Sequence, residues 1–223
     1  MNGKRNGKCI EYYDGVLQFK GEYSNGIRNG EGKEYINDLL LFEGEFVKGK
    51  IRKGKEYHFW NVSFEGEFLN MKRWNGKGKE YNHNNELIFE GEYLNGKKWK
   101  GKIKEYHKND KLKFEGEYFR GKRNGNGKEY NEDGKLIFEG EYLNGTINGK
   151  GKEYYIYGNL VFEGEYLNGE KWNGKGKEYD DRGRLIFEGV YFRGERNGNG
   201  KEYNEEGKLI FEGEYLNGFR NSK

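Results

Sequence analysis

The sequence predicts an all-β protein built from repeated hairpins, and three observations carry that prediction. The chain has 223 residues with 38 glycines and no proline, and 17% of its residues are aromatic. Alanine, the best helix former, is absent, whereas Tyr and Phe favour strands. The third observation is a phrase of the type Phe-x-Gly-x-Tyr, or Phe in the last place, which recurs nine times. Its regular return indicates one structural unit used repeatedly.

The repeat phrase begins at Phe19 and returns in steps of 22 to 25 residues, with Gly-x-Gly-Lys-Glu-Tyr between many of the copies. A fixed period of this kind predicts an array in which each unit contacts mainly its neighbours. We therefore expect a single array over 1–223. It would comprise a half-repeat at 1–18, repeats starting near 19, 42, 64, 89, 114, 138, 162 and 187, and a terminal half-repeat at 211–223.

Each half of the repeat is predicted to be a strand. Period-two alternation places Phe138, Gly140 and Tyr142 on one face and points Glu139 and Glu141 to the other. An antiparallel register with the following Gly-Lys-Gly-Lys segment keeps the two faces separate, and a slip by one residue would mix them. The predicted pairs are Glu139 with Lys152, Gly140 with Gly151, Glu141 with Lys150, and Tyr142 with Gly149.

The two connections of the repeat are predicted to differ in length. Residues 143–148 are expected to form a loop of six residues. Asp133–Gly134 is expected to occupy the centre of a two-residue turn, because Asp-Gly is a preferred pair for the type I′ geometry.

The charges of the chain nearly cancel, with 41 Lys and Arg against 38 Asp and Glu. So small a net charge argues against nucleic acid as a partner, because long-range steering needs an excess of one sign. The alternation of Glu opposite Lys instead predicts a solvated ladder of charges. The single cysteine, Cys9, excludes an internal disulfide framework. It favours a cytoplasmic protein, either free or associated with a membrane or the cytoskeleton.

The side chains offer little material for catalysis or metal binding. Only five of them carry a thiol or an aliphatic hydroxyl. His58, His83 and His107 occupy similar positions in consecutive repeats, but such positions are about 9–10 Å apart across two strands. Zinc needs ligands within about 2.0–2.1 Å of one centre. We expect no metal, no cofactor and no enzymatic activity.

Residues 138–151 carry a resemblance to a known family. Their pattern, Phe-x-Gly-x-Tyr-x-x-Gly-x-x-x-Gly-x-Gly, resembles the MORN repeat (membrane occupation and recognition nexus), and the likeness extends over essentially the whole chain. The sequence departs from this pattern at four positions, Ile51, Met71, Ile103 and Val190. The resemblance implies an elongated, twisted single-layer antiparallel sheet of consecutive β-hairpins, with about nine repeats and no helices, used as a binding or scaffolding surface.

The first functional hypothesis is a non-enzymatic scaffold that binds a protein partner through a groove lined by aromatic rings and glycines. The rings of the central repeats are the candidate lining, although the same rings must also hold the sheet together. The predicted lining residues are Phe89, Tyr93, Phe114, Tyr118, Phe138, Tyr142, Phe162 and Tyr166.

The second hypothesis is peripheral attachment to anionic phospholipids through hairpin loops that carry Lys, Arg and Trp. Tryptophan beside lysine resembles a membrane-interface anchor, whereas packing over the end of the sheet would explain the same residues structurally. The predicted lipid contacts are Lys97, Lys98, Trp99, Lys100, Lys122, Arg123 and Arg196.

The first and last strands of the array are expected to be unpaired at one edge. Unpaired backbone groups are templates for another strand. A homo-oligomer formed by edge pairing is therefore a further predicted association.

Overall fold

A computed structural model describes residues 3–221, and these residues contain no helix. The predicted all-β class of consecutive antiparallel hairpins is confirmed. Residues 1–2 and 222–223, the ends of the predicted array, lie outside the described part of the chain. The chain divides into two compact units, unit 1 (Met1–Lys102) and unit 2 (Ile103–Lys223).

Within each unit the strands follow one another along the chain, and each pairs antiparallel with the next. Unit 1 contains β1 (Gly7–Tyr13), β2 (Val16–Ser24), β3 (Ile27–Ile36), β4 (Leu39–Val47), β5 (Lys50–His58), β6 (Asn61–Leu69), β7 (Lys72–Tyr81) and β8 (Leu87–Leu94). The next strand, β9 (Lys97–Tyr106), contains the point of division. Unit 2 contains β10 (Leu112–Phe119), β11 (Lys122–Tyr130), β12 (Leu136–Leu143), β13 (Thr146–Tyr154), β14 (Leu160–Leu167), β15 (Glu170–Tyr179), β16 (Leu185–Phe192), β17 (Glu195–Tyr203), β18 (Leu209–Leu216) and β19 (Phe219–Arg220).

The predicted register between β12 and β13 is half right. Glu139 faces Lys152 and Gly140 faces Gly151, as expected, but Tyr142 faces Ile147. The pairs of Tyr142 with Gly149 and of Glu141 with Lys150 were wrong because a bulge interrupts the ladder between Gly140 and Tyr142. A bulge inserts extra residues into one strand. Here the bulged strand is β13, which then presents Gly149 to Tyr166 of β14.

The predicted lengths of the two connections were wrong. Asn144 and Gly145 alone join β12 to β13, with φ of 53° and 96°, so this connection is a two-residue turn with both centres left-handed. The predicted two-residue turn is instead a connection of five residues, 131–135, in which the Asn131 side-chain oxygen accepts the N–H of Asp133 at 3.0 Å. The bulge in β13 absorbs the residues that had been assigned to a long loop.

The two-residue turns of successive hairpins bond to one another. The N–H of Gly145 donates to the carbonyl of Arg123 at 2.9 Å, and the N–H of Gly169 donates to the carbonyl of Ile147 at 2.8 Å. Asn124 adds a side-chain contact by accepting the N–H of Asn144 at 3.3 Å. Each repeat therefore positions the turn of the next, which keeps the repeats of unit 2 in step.

The core of each unit is a layer of aromatic rings on one face of the sheet. Eight phenylalanines that begin the repeat phrase are at most 8% exposed: Phe19, Phe42, Phe64, Phe89, Phe114, Phe138, Phe162 and Phe187. The Phe138 ring meets Tyr142 of its own strand and Tyr166 of the next repeat edge-to-face, at centroid distances of 5.6 and 5.3 Å. Such pairs add about 0.5–1.5 kcal/mol beyond their burial.

Paired glycines make room for these rings. A Cβ built on Gly140 would lie 2.5 Å from the carbonyl oxygen of Lys150 and 2.8 Å from Cζ of Phe138. A Cβ on the opposing Gly151 would lie 2.6 Å from the same ring atom. Both glycines are therefore required by close approach, since any side chain would displace the ring or the neighbouring strand.

A cation covers the ring layer in most repeats. The Arg123 guanidinium lies 3.9 Å from the centroid of Phe114 and bonds Glu105 at 2.6 Å. It also pairs with Glu129. Ile147 takes the equivalent position in the next repeat and packs against the same core. The covering residue therefore excludes water from the rings as either a paired cation or an aliphatic side chain.

We expect Gly140→Ala to destabilise the protein, because the new methyl group would contact backbone and ring at less than the van der Waals distance. Overpacking of this kind typically costs about 1–3 kcal/mol. Urea denaturation of the variant beside Lys150→Ala, an exposed neighbour on the opposing strand expected to change stability by less than about 0.5 kcal/mol, measures the difference. Equal stability of the two variants would contradict the close-packing account.

Candidate partner-binding groove

The two faces of the sheet have different chemistry. We call the face that carries Phe138 and Tyr142 the ring face, and the face that carries Glu139 and Lys152 the charge face. Period-two alternation along the strands separates them. The ring face is closed by its own packing, whereas the charge face presents the lysines and glutamates of the strands.

The structure places the predicted groove-lining rings inside the ring layer. Seven of the eight are at most 7% exposed, and Tyr118 is partly buried. The seven are Phe89, Tyr93, Phe114, Phe138, Tyr142, Phe162 and Tyr166. Direct contact between these rings and a partner stays a prediction.

Lysine and glutamate alternate along the charge face. Lys128 Nζ lies 3.6 Å from Glu139, and Lys152 Nζ lies 3.3 Å from Glu163. Lys152 thus faces Glu139 in the register but makes its ion pair with the strand on its other side. Exposed pairs of this kind are each worth about 0.2–1 kcal/mol or less. The ladder therefore serves as a patterned surface more than as a source of stability.

Tyrosine hydroxyls attach to this ladder. Tyr154 Oη donates to Glu139 Oε1 at 2.7 Å, and Tyr130 repeats the arrangement with Glu115 at 2.8 Å. The hydrogen bond from Tyr154 lowers the pKa of Glu139 below its ordinary value. Partial burial, and then the bond to Glu139, raise the pKa of Tyr154 to about 12. The pair holds a carboxylate charged and oriented on the charge face at neutral pH.

The charge face of unit 2 contains an open groove of about 600 Å³. Its walls carry lysines and glutamates of the ladder, and its floor is made of glycines. The glycines are Gly176, Gly189, Gly200 and Gly213. A Cβ built on any of these glycines would point at a ring of the opposite face, so the groove floor is strand backbone between the flanking lysines and glutamates.

Val190 interrupts the charges of this groove. It stands where the other repeats carry a glutamate, such as Glu141 and Glu165, and it faces Lys175 in the register. Val190 is 37% exposed and shares the groove with Leu160 and Val161. An apolar patch therefore lies within a charged groove.

Unit 1 has two further grooves on the same face. One, of about 940 Å³, includes Lys8, Lys20, Lys33 and Glu43, and the other, of about 550 Å³, includes Val62 and Glu90. In the larger groove Lys20 faces Lys33 across the strands, and Glu31 faces Glu45 in the next pair of strands. Like charges directly opposite destabilise a sheet. The groove carries four lysines and four glutamates in all, so neither sign dominates it.

The residues predicted to contact lipid fall into two groups. Lys97, Lys100 and Lys122 are exposed. The other four are partly buried, and three of them are bound to carboxylates: Lys98 to Glu80 at 2.7 Å, Arg123 to Glu105 at 2.6 Å, and Arg196 to Glu178 at 2.6 Å. The fourth, Trp99, lies within β9. A lipid headgroup would have to compete with existing ion pairs at these cations.

The histidines are used in local contacts. His107 Nε2 lies 2.9 Å from the carbonyl oxygen of Tyr130, and the His58 ring stacks on Tyr81. In residues 3–221 no group of three or more His, Cys, Asp and Glu side chains is arranged to hold a metal ion. The same residues include no helix long and apolar enough to cross a bilayer.

The sequence reasoning placed the candidate site on the ring face and missed the groove on the other face. The signal was present, because the same alternation that collects the rings puts Glu and Lys opposite them, with paired glycines between. In the sequence, Val190 stands out only as a departure from the repeat pattern. Only the pairing register of the strands places Val190 in the groove.

The comparison with protein families agrees with this architecture. The MORN repeat model matches residues 1–15, 19–38, 114–135, 138–158 and 187–207. The chain carries MORN repeats in these five segments, and such repeats indicate a scaffold of the kind that takes part in protein or membrane interactions.

No curated protein matches the chain. Among solved structures, a chain from the crystal structure of TcdB2-TccC3-Cdc42 aligns at 10% identity with a TM-score of 0.30, over 94% of this chain and 14% of that chain. This protein thus spans only a small part of that chain's length, and a likeness of this degree carries no argument.

The Tyr154–Glu139 pair leads to a pH prediction. Because the folded state raises the pKa of Tyr154 above 10, the pair's contribution to stability is present below pH 10 and is lost as the pH rises through about 12. Tyr154→Phe should remove this step and return the pKa of Glu139 upward toward its ordinary value. An NMR titration of the carboxyl groups measures the pKa of Glu139. The exposed Tyr157→Phe is the control, and an unchanged Glu139 pKa in Tyr154→Phe would contradict the assignment.

Proposed function

We propose that this protein with MORN repeats is a non-enzymatic scaffold that binds a protein partner along its charge face. The observation that supports this proposal is the open groove of unit 2, with its glycine floor and alternating walls. The ring layer and its covering cations lie on the opposite face and stabilise the sheet from there. They supply the packing that holds the strands together, which leaves the charge face to a partner segment.

The charges of the groove favour a protein over a polyanion. In unit 2 each lysine of the ladder alternates with a glutamate, so neither sign dominates. A nucleic acid or a strongly anionic bilayer would meet as many carboxylates as ammonium groups. A polypeptide segment that carries both signs can pair with the ladder in one register, which gives specificity more than affinity.

The apolar patch at Val190 supplies the contact around which such a segment would be centred. Interfaces derive most of their binding energy from a few well-packed central residues, while the surrounding polar contacts exclude water. Val190, Val161 and the glycine floor provide a small apolar centre, and Lys175, Lys177 and Glu188 surround it. The partner should therefore present an apolar side chain flanked by charges of both signs.

Substitution of Val190 tests the proposal without threatening the fold. Val190→Glu restores the residue that other repeats carry at this position, so the variant should remain folded while the apolar centre is removed. A photo-crosslinking residue at Asn199, on the same groove wall, would capture the partner from a cell extract. We expect Val190→Glu to reduce the capture about threefold or more, since the partner buries the exposed third of this side chain, a corresponding fraction of the about 1.5 kcal/mol for full burial of a valine.

Leu167→Glu is the matched control. Leu167 is 41% exposed, against 37% for Val190, and it lies at a hairpin turn outside the groove. The control should capture the partner as the native chain does. Equal loss from both variants, or no loss from either, would contradict binding at the groove.

Attachment to anionic membranes is the alternative that the experiments must distinguish from binding of a protein partner. It would show as binding to phosphatidylserine vesicles at physiological salt. Such binding should be unaffected by Val190→Glu and abolished when the exposed Lys97, Lys100 and Lys122 are replaced by Glu.

A further inference from the structure

One hairpin turn of unit 1 exposes two large aromatic side chains. Phe59 and Trp60 alone join β5 to β6, since His58 faces Asn61 across the turn. Their exposed fractions are 59% and 77%. Elsewhere in unit 1 the same edge of the sheet has turns made of small polar residues, such as Asp14–Gly15 and Asn37–Asp38. Neither groove of unit 1 includes Phe59 or Trp60.

The backbone at Phe59 is in a conformation that suits a different residue. Its φ is 54°, in the left-handed region where Asn, Asp and Gly are common and a bulky side chain is an outlier. The equivalent residues of the two preceding turns, Asp14 and Asn37, have nearly the same φ, 49° and 48°. The fold thus accepts local strain at a position where a standard turn residue would be relaxed, and strain of this kind concentrates at functional sites.

The neighbouring turns extend the apolar surface along the edge. Tyr13 and Ile36, each immediately before its turn, are 71% and 53% exposed. Successive turns on this edge are separated by two strands, or about 9–10 Å. Tyr13, Ile36, Phe59 and Trp60, which we call the aromatic edge, therefore form a row beside the polar turns Asp14–Gly15 and Asn37–Asp38, and an exposed row of this kind matches a flat surface better than a pocket.

The charges near the aromatic edge indicate which kind of partner surface the edge suits. The three turn segments 12–17, 35–40 and 57–62 contain no Lys or Arg, and their formal charges are the carboxylates Asp14 and Asp38. An anionic bilayer would repel these carboxylates. Trp and Tyr combine an apolar body with a polar N–H or O–H, which suits the zone between headgroups and acyl chains.

We propose that the aromatic edge is a membrane-contact site that inserts into the interface of a bilayer of neutral, zwitterionic lipids. The site is independent of the groove of unit 2 and goes beyond the proposed protein binding. It differs in chemistry from the exposed lysines, because it uses burial of apolar surface instead of charge.

The turn itself allows a test in which stability and binding change in opposite directions. The double substitution Phe59→Gly with Trp60→Ser places glycine at the left-handed first position of the turn, where it is preferred, and removes both rings. The variant should unfold at the same or a higher temperature than the native chain. Its partition onto phosphatidylcholine vesicles should fall by roughly tenfold or more, because two aromatic side chains no longer leave water.

The experiment is flotation of the full chain with pure phosphatidylcholine vesicles at low and high salt. Tyr157→Asn is the matched control, since it removes a 68% exposed aromatic residue from a turn of unit 2. We expect the native chain and the control to float equally at both salt concentrations and the double variant to remain in solution.

Three results would overturn the proposal. They are a native chain that does not float with phosphatidylcholine, a double variant that floats as the native chain does, and flotation that requires anionic lipid and is lost at high salt. The single variants Phe59→Gly and Trp60→Ser repeat the comparison if the double variant has a lowered unfolding temperature. Failure of any of these tests leaves the groove of unit 2 unaffected, because Val190 lies in the other unit.

Discussion

The packing of a phenylalanine ring over a pair of opposed glycines is the interaction on which this structure depends. Phe138 lies over Gly140 and Gly151, and a methyl group at either glycine would come within 2.6 Å of another atom. A chain so poor in aliphatic residues has no other large apolar groups to bury. The glycines compensate by letting each ring approach the backbone closely, so that a single sheet face serves as the core.

This arrangement has a consequence for function. Because the rings of the repeat phrase lie on one face and are covered there by Arg123, Ile147 or their equivalents, the other face need not be covered. Its lysines, glutamates and tyrosine hydroxyls are held in a regular pattern by the strand register. The charge face can therefore vary in charge and in apolar patches, as it does at Val190 and Lys20, without loss of the core.

The sequence predicted those features that depend on periodicity. The repeat length, the strand class, the separation of Phe138 from Glu139 and the pairing of Gly140 with Gly151 follow from alternation and were right. The connections did not follow, because Asn-Gly and Asp-Gly are both turn signals. Only the bulge in β13 decides that Asn144–Gly145 closes the tight turn.

The site was harder to predict than the fold for a related reason. Alternation shows which residues share a face, but not which face is closed by packing. The burial of Tyr93 and Tyr142 depends on covering residues such as Arg73 and Ile147, which come from paired strands. The exposure of Phe59 and Trp60 likewise depends on the exact placement of a turn, which composition cannot supply.

The central claim is that the ring face supplies the stability and leaves the charge face free for binding. The most direct test is the free energy of unfolding of two variants of the same repeat. Phe138→Ala should lower it by about 3–5 kcal/mol, as expected for a buried phenylalanine. The paired change Glu139→Gln with Lys152→Gln should lower it by less than about 1 kcal/mol, as expected for exposed charges. A larger loss from the charge-face pair than from Phe138→Ala would contradict the account.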